Sequence, residues 1–172
     1  RASTLTDRWA EPVRPRGAER ASPDRHGVAE GESWRTLSWA QTRELALDVA
    51  SALVARGVAV GDTVAIMATN RVEHFVADMG AVHAAATPMS IYNTLSADQV
   101  AYIAQESQPT VVVLENADHV TRWRDALAAT SSIRTVVVLD PAARPDRDDA
   151  LTWDELVALG AEHRVTHAEE LQ

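Results

Sequence analysis

The sequence has no cysteine and no lysine among its 172 residues. The first absence excludes disulfides, thiolate metal sites and cysteine nucleophiles. The second excludes the Walker A phosphate loop, whose lysine reaches the β- and γ-phosphates. It also excludes the lysine beside the acidic pocket of a receiver domain. Glycine is sparse, with 7 in the chain, and no two are separated by a single residue. The dinucleotide fingerprint G-x-G-x-x-G is therefore missing. There is no G-x-S-x-G nucleophile elbow either. No apolar run approaches the ~20 residues that span a bilayer. Arg, Glu and Pro interrupt residues 1–25, which argues against a signal peptide. The expectation is a cytoplasmic chain with no transmembrane segment. A first residue of Arg1 instead of Met suggests a fragment or a trimmed chain.

What is present is acidic and ordinarily apolar. Asp and Glu total 25 against 16 Arg, for a net charge of -9, and hydrophobic residues make up 46%. A surface of this sign repels phosphate backbones and anionic headgroups, so nucleic acid is not an expected partner. The length suffices for one α/β domain with a real core.

Residues 1–33 read as a polar lead. Leu5 and Trp9 can share a short helix ended by Pro12, and His26–Ala29 with Trp34–Leu37 reads as a hairpin. The stretch 34–140 then alternates strand and helix. Ser38 to Gln41 is a capping box opening a helix to about Arg56, closed by Gly57. Thr63–Met67 is a short apolar strand. Asn70 is expected to cap the next helix, whose stripe is Val72, Phe75, Val76, Met79 and Val82. Pro88–Ile91 is extended, and Ser96 to Gln99 opens a helix through about Glu106. Thr110–Leu114 reads as a buried strand, followed by a helix over about His119–Ala129 and a strand over Thr135–Leu139. Residues 141–172 read as a charged loop, a short helix begun at Thr152 to Glu155, and a tail. Strand and helix at this spacing predict crossover units and a Rossmann-like parallel sheet flanked by helices.

Few side chains form a chemical constellation. His163 and His167 have helical ligand spacing but stand in a polar tail without a third ligand, which favours solvation over metal. His83 lies on or beside the apolar stripe and reads as a packed histidine. The aspartates of 146–149 lack the alternation of a calcium loop. Trp9, Trp34, Trp39, Trp123 and Trp153 sit near element starts, as staples and core plugs. In parallel sheets ligands bind beyond the carboxyl ends of strands. Those ends are Ala68 to Asn70, Tyr92 to Thr94 and Glu115 to Ala117. Each opens a helix, so the bland reading of Asn70, Ser96 and Asn116 is helix capping.

The ordered series from Trp34 to Leu114 resembles the opening of the adenylate-forming enzymes. It comprises Thr36-Leu37-Ser38-Trp39, Gly57-Val58, Gly61 to Ile66, Asn70, Pro88 and Gln108 to Val113. About 110 residues take part. The stretch Ser90 to Ile103 is most similar to the long-chain fatty-acid–CoA ligase branch. The resemblance implies an N-terminal subdomain of a larger adenylate-forming domain. Its parent would activate a fatty acid with ATP and magnesium to an acyl-adenylate, then pass the acyl group to CoA. The remainder of that chain would be this segment's partner, and incompletely covered apolar faces could also support a homodimer. The family's phosphate loop falls after Gln172 and its lysine roles have no residue here, so no catalytic residue carries over and the piece alone is expected to be inactive. By similarity to acetyl-CoA synthetases, Tyr92, Asn93, Thr94 and Asn116 lie on loops near the CoA nucleotide. Those relatives have paired glycines at Tyr92-Asn93, and an arginine near the second loop that the sequence does not match. The alternative is a stand-alone α/β binding or scaffolding module; the missing glycine fingerprint argues against a dehydrogenase.

Lacking lysine and a phosphate cradle, the chain by itself should give a flat calorimetric titration with Mg-ATP. Binding in the micromolar range would reveal a nucleotide site built from other residues.

Overall fold

The computed structural model describes residues 25–30 and 33–166, with side chains from Leu37 onward. The expected helix at Leu5 and Trp9, Trp34's side chain and His167 lie outside the described residues. Strands β1 (Arg25–Glu30) and β2 (Ser33–Ser38) pair antiparallel as the expected hairpin. Ser38 then caps α1 (Trp39–Ala55), accepting from the Gln41 N–H while the Gln41 side chain accepts from the Ser38 N–H. Gly57 follows the helix at φ +78°, where a side chain would be strained.

Five parallel strands form the main sheet in the order β4-β3-β5-β6-β7. They are β3 (Thr63–Met67), β4 (Thr87–Ser90), β5 (Val111–Leu114), β6 (Thr135–Val138) and β7 (Ala150–Thr152). The connecting helices are α2 (Val72–His83), α3 (Ala97–Ser107), α4 (Ala117–Ala129) and α5 (Trp153–Thr166). Every residue of β5 and β6 is buried, as expected of strands covered on both faces. One face packs Val64, Ile66, Val111, Val113 and Val137 against α1, α2 and α5. The other packs Ala65, Met67, Val112, Leu114 and Val136 against α3 and α4. Trp123 fills this second layer fully buried, its indole N–H donating to the Met67 sulfur at 3.2 Å.

The first strand of the series, β3, lies inside the sheet. The chain moves to one side to form β4, then returns past β3 to add β5, β6 and β7. That is one of the two common doubly wound orders, with its reversal point between β3 and β5. Strands β4 and β7 are the two edges.

Helix α2 departs from the expected stripe. Val72 and Val76 are buried, but Phe75 and Val82 are exposed, and the inward face is completed by Glu73, Ala77, Gly80 and Ala81. The helix is rotated because small residues let it approach α1 closely. A Cβ on Gly80 would stand 2.5 Å from a Val49 methyl. His83, expected to be packed, is exposed by the same rotation. Phe75 instead meets Trp39 edge-on, with ring centroids 6.5 Å apart.

The region after β6 is more ordered than a charged loop. A single 3-10 turn (Pro141–Ala143) buries Ala143, and β7 extends the sheet. Arg147 pins the segment, pairing with Asp149 at 2.7 Å and donating to the Leu127 carbonyl at 2.8 Å. Helix α5 is long, not short. Its His163 is part of no solvated tail: Nδ1 lies 2.8 Å from the hydroxyl of fully buried Ser51. Arg164 holds Asp48 at 2.6 Å and Glu44 at 2.9 Å.

At the α1–α5 crossing the backbones nearly touch. A Cβ placed on Gly160 would stand 1.7 Å from the Asp48 carbonyl oxygen. Backbone cannot retreat as a side chain can, so Gly160→Ala should destabilise by about 1–3 kcal/mol. Urea melts of the two proteins would measure it; a difference under about 0.5 kcal/mol, the ordinary surface range, would contradict the close crossing.

Candidate functional site

Loops leaving the carboxyl ends of β3, β4 and β5 gather along one edge of the sheet. At the reversal point between β3 and β5 they are tied to one another. Glu115 accepts from the Thr69 N–H at 2.6 Å and faces Arg71 at 3.5 Å. Arg71 also bonds Glu73, a buried carboxylate, at 2.7 Å. Nδ1 of buried His119 donates to the Met67 carbonyl at 2.9 Å. Burial opposes the charge on Glu115, but the Thr69 N–H and the Arg71 guanidinium outweigh it and hold its carboxyl below the usual range. The crevice that doubly wound sheets often offer to a ligand is thus crossed here by a charged bridge.

The expected cap at Asn70 is not made. Arg71 is the residue preceding α2, with no side-chain cap, and the Asn70 carboxamide is left exposed. Glu73 turns inward to Arg71, which removes the reciprocal partner that a capping box needs. Ser96 caps α3 and Asn116 caps α4 as the sequence suggests, Asn116 accepting from the His119 N–H at 3.1 Å.

An open cleft of about 690 Å³ lies one strand further out, between the ends of β3 and β4. Thr69, Asn70, His74, Ser90, Tyr92 and Asn93 contribute to its lining. Of the strand-end residues singled out by sequence, Ala68 to Asn70, Tyr92 and Asn93 line this cleft, whereas Thr94 and Asn116 do not. Tyr92 is 79% exposed. The Asn93 side-chain oxygen is buried without a hydrogen-bond partner.

The two loops are nevertheless joined. Arg122, on α4, donates to the Asn93 carbonyl and to the Leu95 carbonyl, and pairs with Asp118 one turn earlier on its own helix. The sequence assigned no arginine to this place. The only local signal was the four-residue spacing of Asp118 and Arg122, which marks a helical pair and says nothing of a loop 29 residues away. His74 is legible in sequence only as a residue of the helix after Asn70, and its pairing with Ser90 is not, because the strand order that brings them together cannot be read from local pattern. Among the described residues, no group of three or more His, Asp or Glu could hold a metal ion. No described helix is long and apolar enough to cross a membrane.

Residues 16–170 match the family model for the AMP-binding enzyme. The chain belongs to that family. A protein of Mycobacterium tuberculosis (strain ATCC 25618 / H37Rv), Rv1549, is 37% identical over 108 residues, which cover 63% of this chain and 59% of that one. A long-chain-fatty-acid–CoA ligase, ACSBG2 of Xenopus laevis, is 26% identical over 131 residues, covering 76% of this chain but 18% of the ligase. The fold is similar to a part of the A-PCP didomain of a carboxylic acid reductase from Segniliparus rugosus, solved in complex with AMP. That match has a TM-score of 0.64 at 20% identity over 74% of this chain and 20% of the reductase chain. The chain thus spans about three fifths of one relative and about a fifth of the ligase.

The charged bridge gives the chain a pH signature. With its folded-state affinity for a proton lowered, Glu115 adds stability above the usual carboxylate range, and that stability is lost as pH falls through the folded value. Glu115→Gln should cost on the order of 1 kcal/mol at neutral pH. It should also flatten the acid limb of a plot of melting temperature against pH. Parallel curves for the two proteins would show that the bridge carries no net energy.

Proposed function

We propose that this chain is the N-terminal segment of a fatty-acid–CoA ligase, and that its part in the reaction is to build the edge where CoA docks. The supporting observation is that two loops expected near the CoA nucleotide are held together by Arg122. Tyr92 offers an exposed ring face to an adenine, and the Asn93 side-chain oxygen is an acceptor without a donor. Asn116 acts through its cap, by setting the first turn of α4.

The complete enzyme would use ATP and magnesium to make the acyl-adenylate, and CoA to accept the acyl group. The described residues do not fit the first two. They include no lysine and no carboxylate cluster for a divalent ion, so no step of adenylate chemistry is assigned to them. The matched ligases support the fatty-acid branch, since 131 residues of one such enzyme align with this chain. A second reading is a stand-alone α/β binding module without catalysis. It is favoured by one observation: the Mycobacterium tuberculosis relative is itself a short chain, of which 108 residues are 59%.

Steady-state kinetics of the complete enzyme, varying ATP, fatty acid and CoA in turn, tests the docking assignment. Tyr92→Ala should raise KM for CoA about tenfold, the value of one lost base-stacking contact. The constants for ATP and fatty acid should stay within twofold or so, because uniform loss of one ligand's binding moves only that KM. Equal effects on all three substrates would overturn the docking role. CoA binding by the isolated chain, with no adenylating activity in any longer product, would favour the binding module.

A further inference from the structure

The cleft between β3 and β4 contains a nucleophile and a base that the CoA reading does not use. His74, on the first turns of α2, points both ring nitrogens at protein atoms. Nδ1 stands 3.1 Å from the Ala68 carbonyl oxygen and 3.2 Å from that of Thr69. Both are pure acceptors, so Nδ1 carries the hydrogen. In the neutral ring Nε2 is then an acceptor, and it faces the Ser90 hydroxyl at 2.9 Å. The tautomer is imposed by the backbone, not chosen. Ser90 itself is an exposed residue at the end of β4 and lines the cleft.

We propose that Ser90 and His74 form an acyl-accepting pair, a nucleophile and its general base, acting on small activated esters. The order hydroxyl, imidazole, carbonyl reproduces the three roles such catalysis needs: nucleophile, base, and a group orienting the base. Asn70 supplies a third polar group to the same cleft. Its carboxamide caps no helix and makes no hydrogen bond among the described residues, leaving its N–H free to meet a developing oxyanion. The cleft's size suits a small molecule. Uncharged residues line it on one side of the pair, while Arg71 and Asp78 border the pair on the other.

The chemistry balances within the pair. The Ser90 proton moves to His74 Nε2 as Oγ bonds the ester carbonyl carbon. The bond from that carbon to the leaving oxygen breaks, and the leaving alcohol takes the proton from Nε2. Water then adds to the acyl-serine, giving its proton to Nε2. The carbonyl-to-Oγ bond breaks, Oγ recovers the proton, and a carboxylic acid departs. The sum is ester plus water to acid plus alcohol, with no metal, nucleotide or redox partner.

The test uses the chain alone with p-nitrophenyl acetate, without ATP or CoA, so its outcome is independent of the CoA assignment. Peptide mapping should find one acetyl group on Ser90, absent in Ser90→Ala. His74→Ala should slow acetylation by about a hundredfold, the lower range of general-base catalysis. Imidazole added to His74→Ala should restore much of the rate, a response that a purely structural histidine would not give. The idea is overturned if Ser90 is not acetylated, if other residues react as fast, or if His74→Ala reacts like the parent chain. It is equally overturned if His74→Ala retains the parent's circular dichroism but does not respond to imidazole.

Discussion

A parallel sheet buried on both faces is the constraint from which the remaining structure follows. Its central strands offer no polar face, so every apolar side chain on them must be covered by a helix. Five short strands leave little area, and coverage has to be tight. This explains why small residues stand at the helix crossings, Gly80 against Val49 and Gly160 against the Asp48 backbone. Bulkier residues there would lift the helices from the sheet. The same closeness turns α2 about its axis, which sets Phe75 outward and brings His74 over the end of β4. A packing requirement on one face thereby places chemistry on the rim.

The rim is organised by arginine. With no lysine in the chain, each fixed cation is a planar fork able to bond several acceptors at once. Arg71 spans Glu73 and Glu115, while Arg122 spans two loop carbonyls and Asp118. These bridges connect loops distant in sequence at positions where main-chain pairing has ended. The rim therefore inherits some of the sheet's order, which gives side chains such as Tyr92 and Asn93 a defined background.

Much of the fold was legible because it rests on local rules. Ser38 and Ser96 each carry a glutamine three residues on, and both boxes form as written. The strand Thr63–Met67 and the valines of β5 and β6 announce themselves by composition. What failed had a tertiary cause. Asn70 looked like a cap until Glu73 found Arg71, and Val82 looked buried until Gly80 drew α2 closer to α1. His163 looked like tail because nothing local shows that Ser51, 112 residues earlier, waits for it. The candidate site was legible only in part. Tyr92 and Asn93 could be placed at a strand end, but the partners Arg122, His74 and Ser90 depend on strand order and helix rotation.

The edges of the sheet carry a consequence for assembly. The N–H of Thr87 bonds the Asp62 carbonyl just before β3, and that of Ile91, just after β4, bonds Ile66 in β3, so the alternate position Pro88 faces outward, where proline has no donor to give. The opposite edge, β7, has only three residues. Neither border can template a long added strand. Any neighbouring body, whether more of the same polypeptide or a separate molecule, is steered away from continuing the ladder. Helix faces and rim loops are the more favourable ground for such contact, and a body seated there could shift without tearing a hydrogen-bonded sheet.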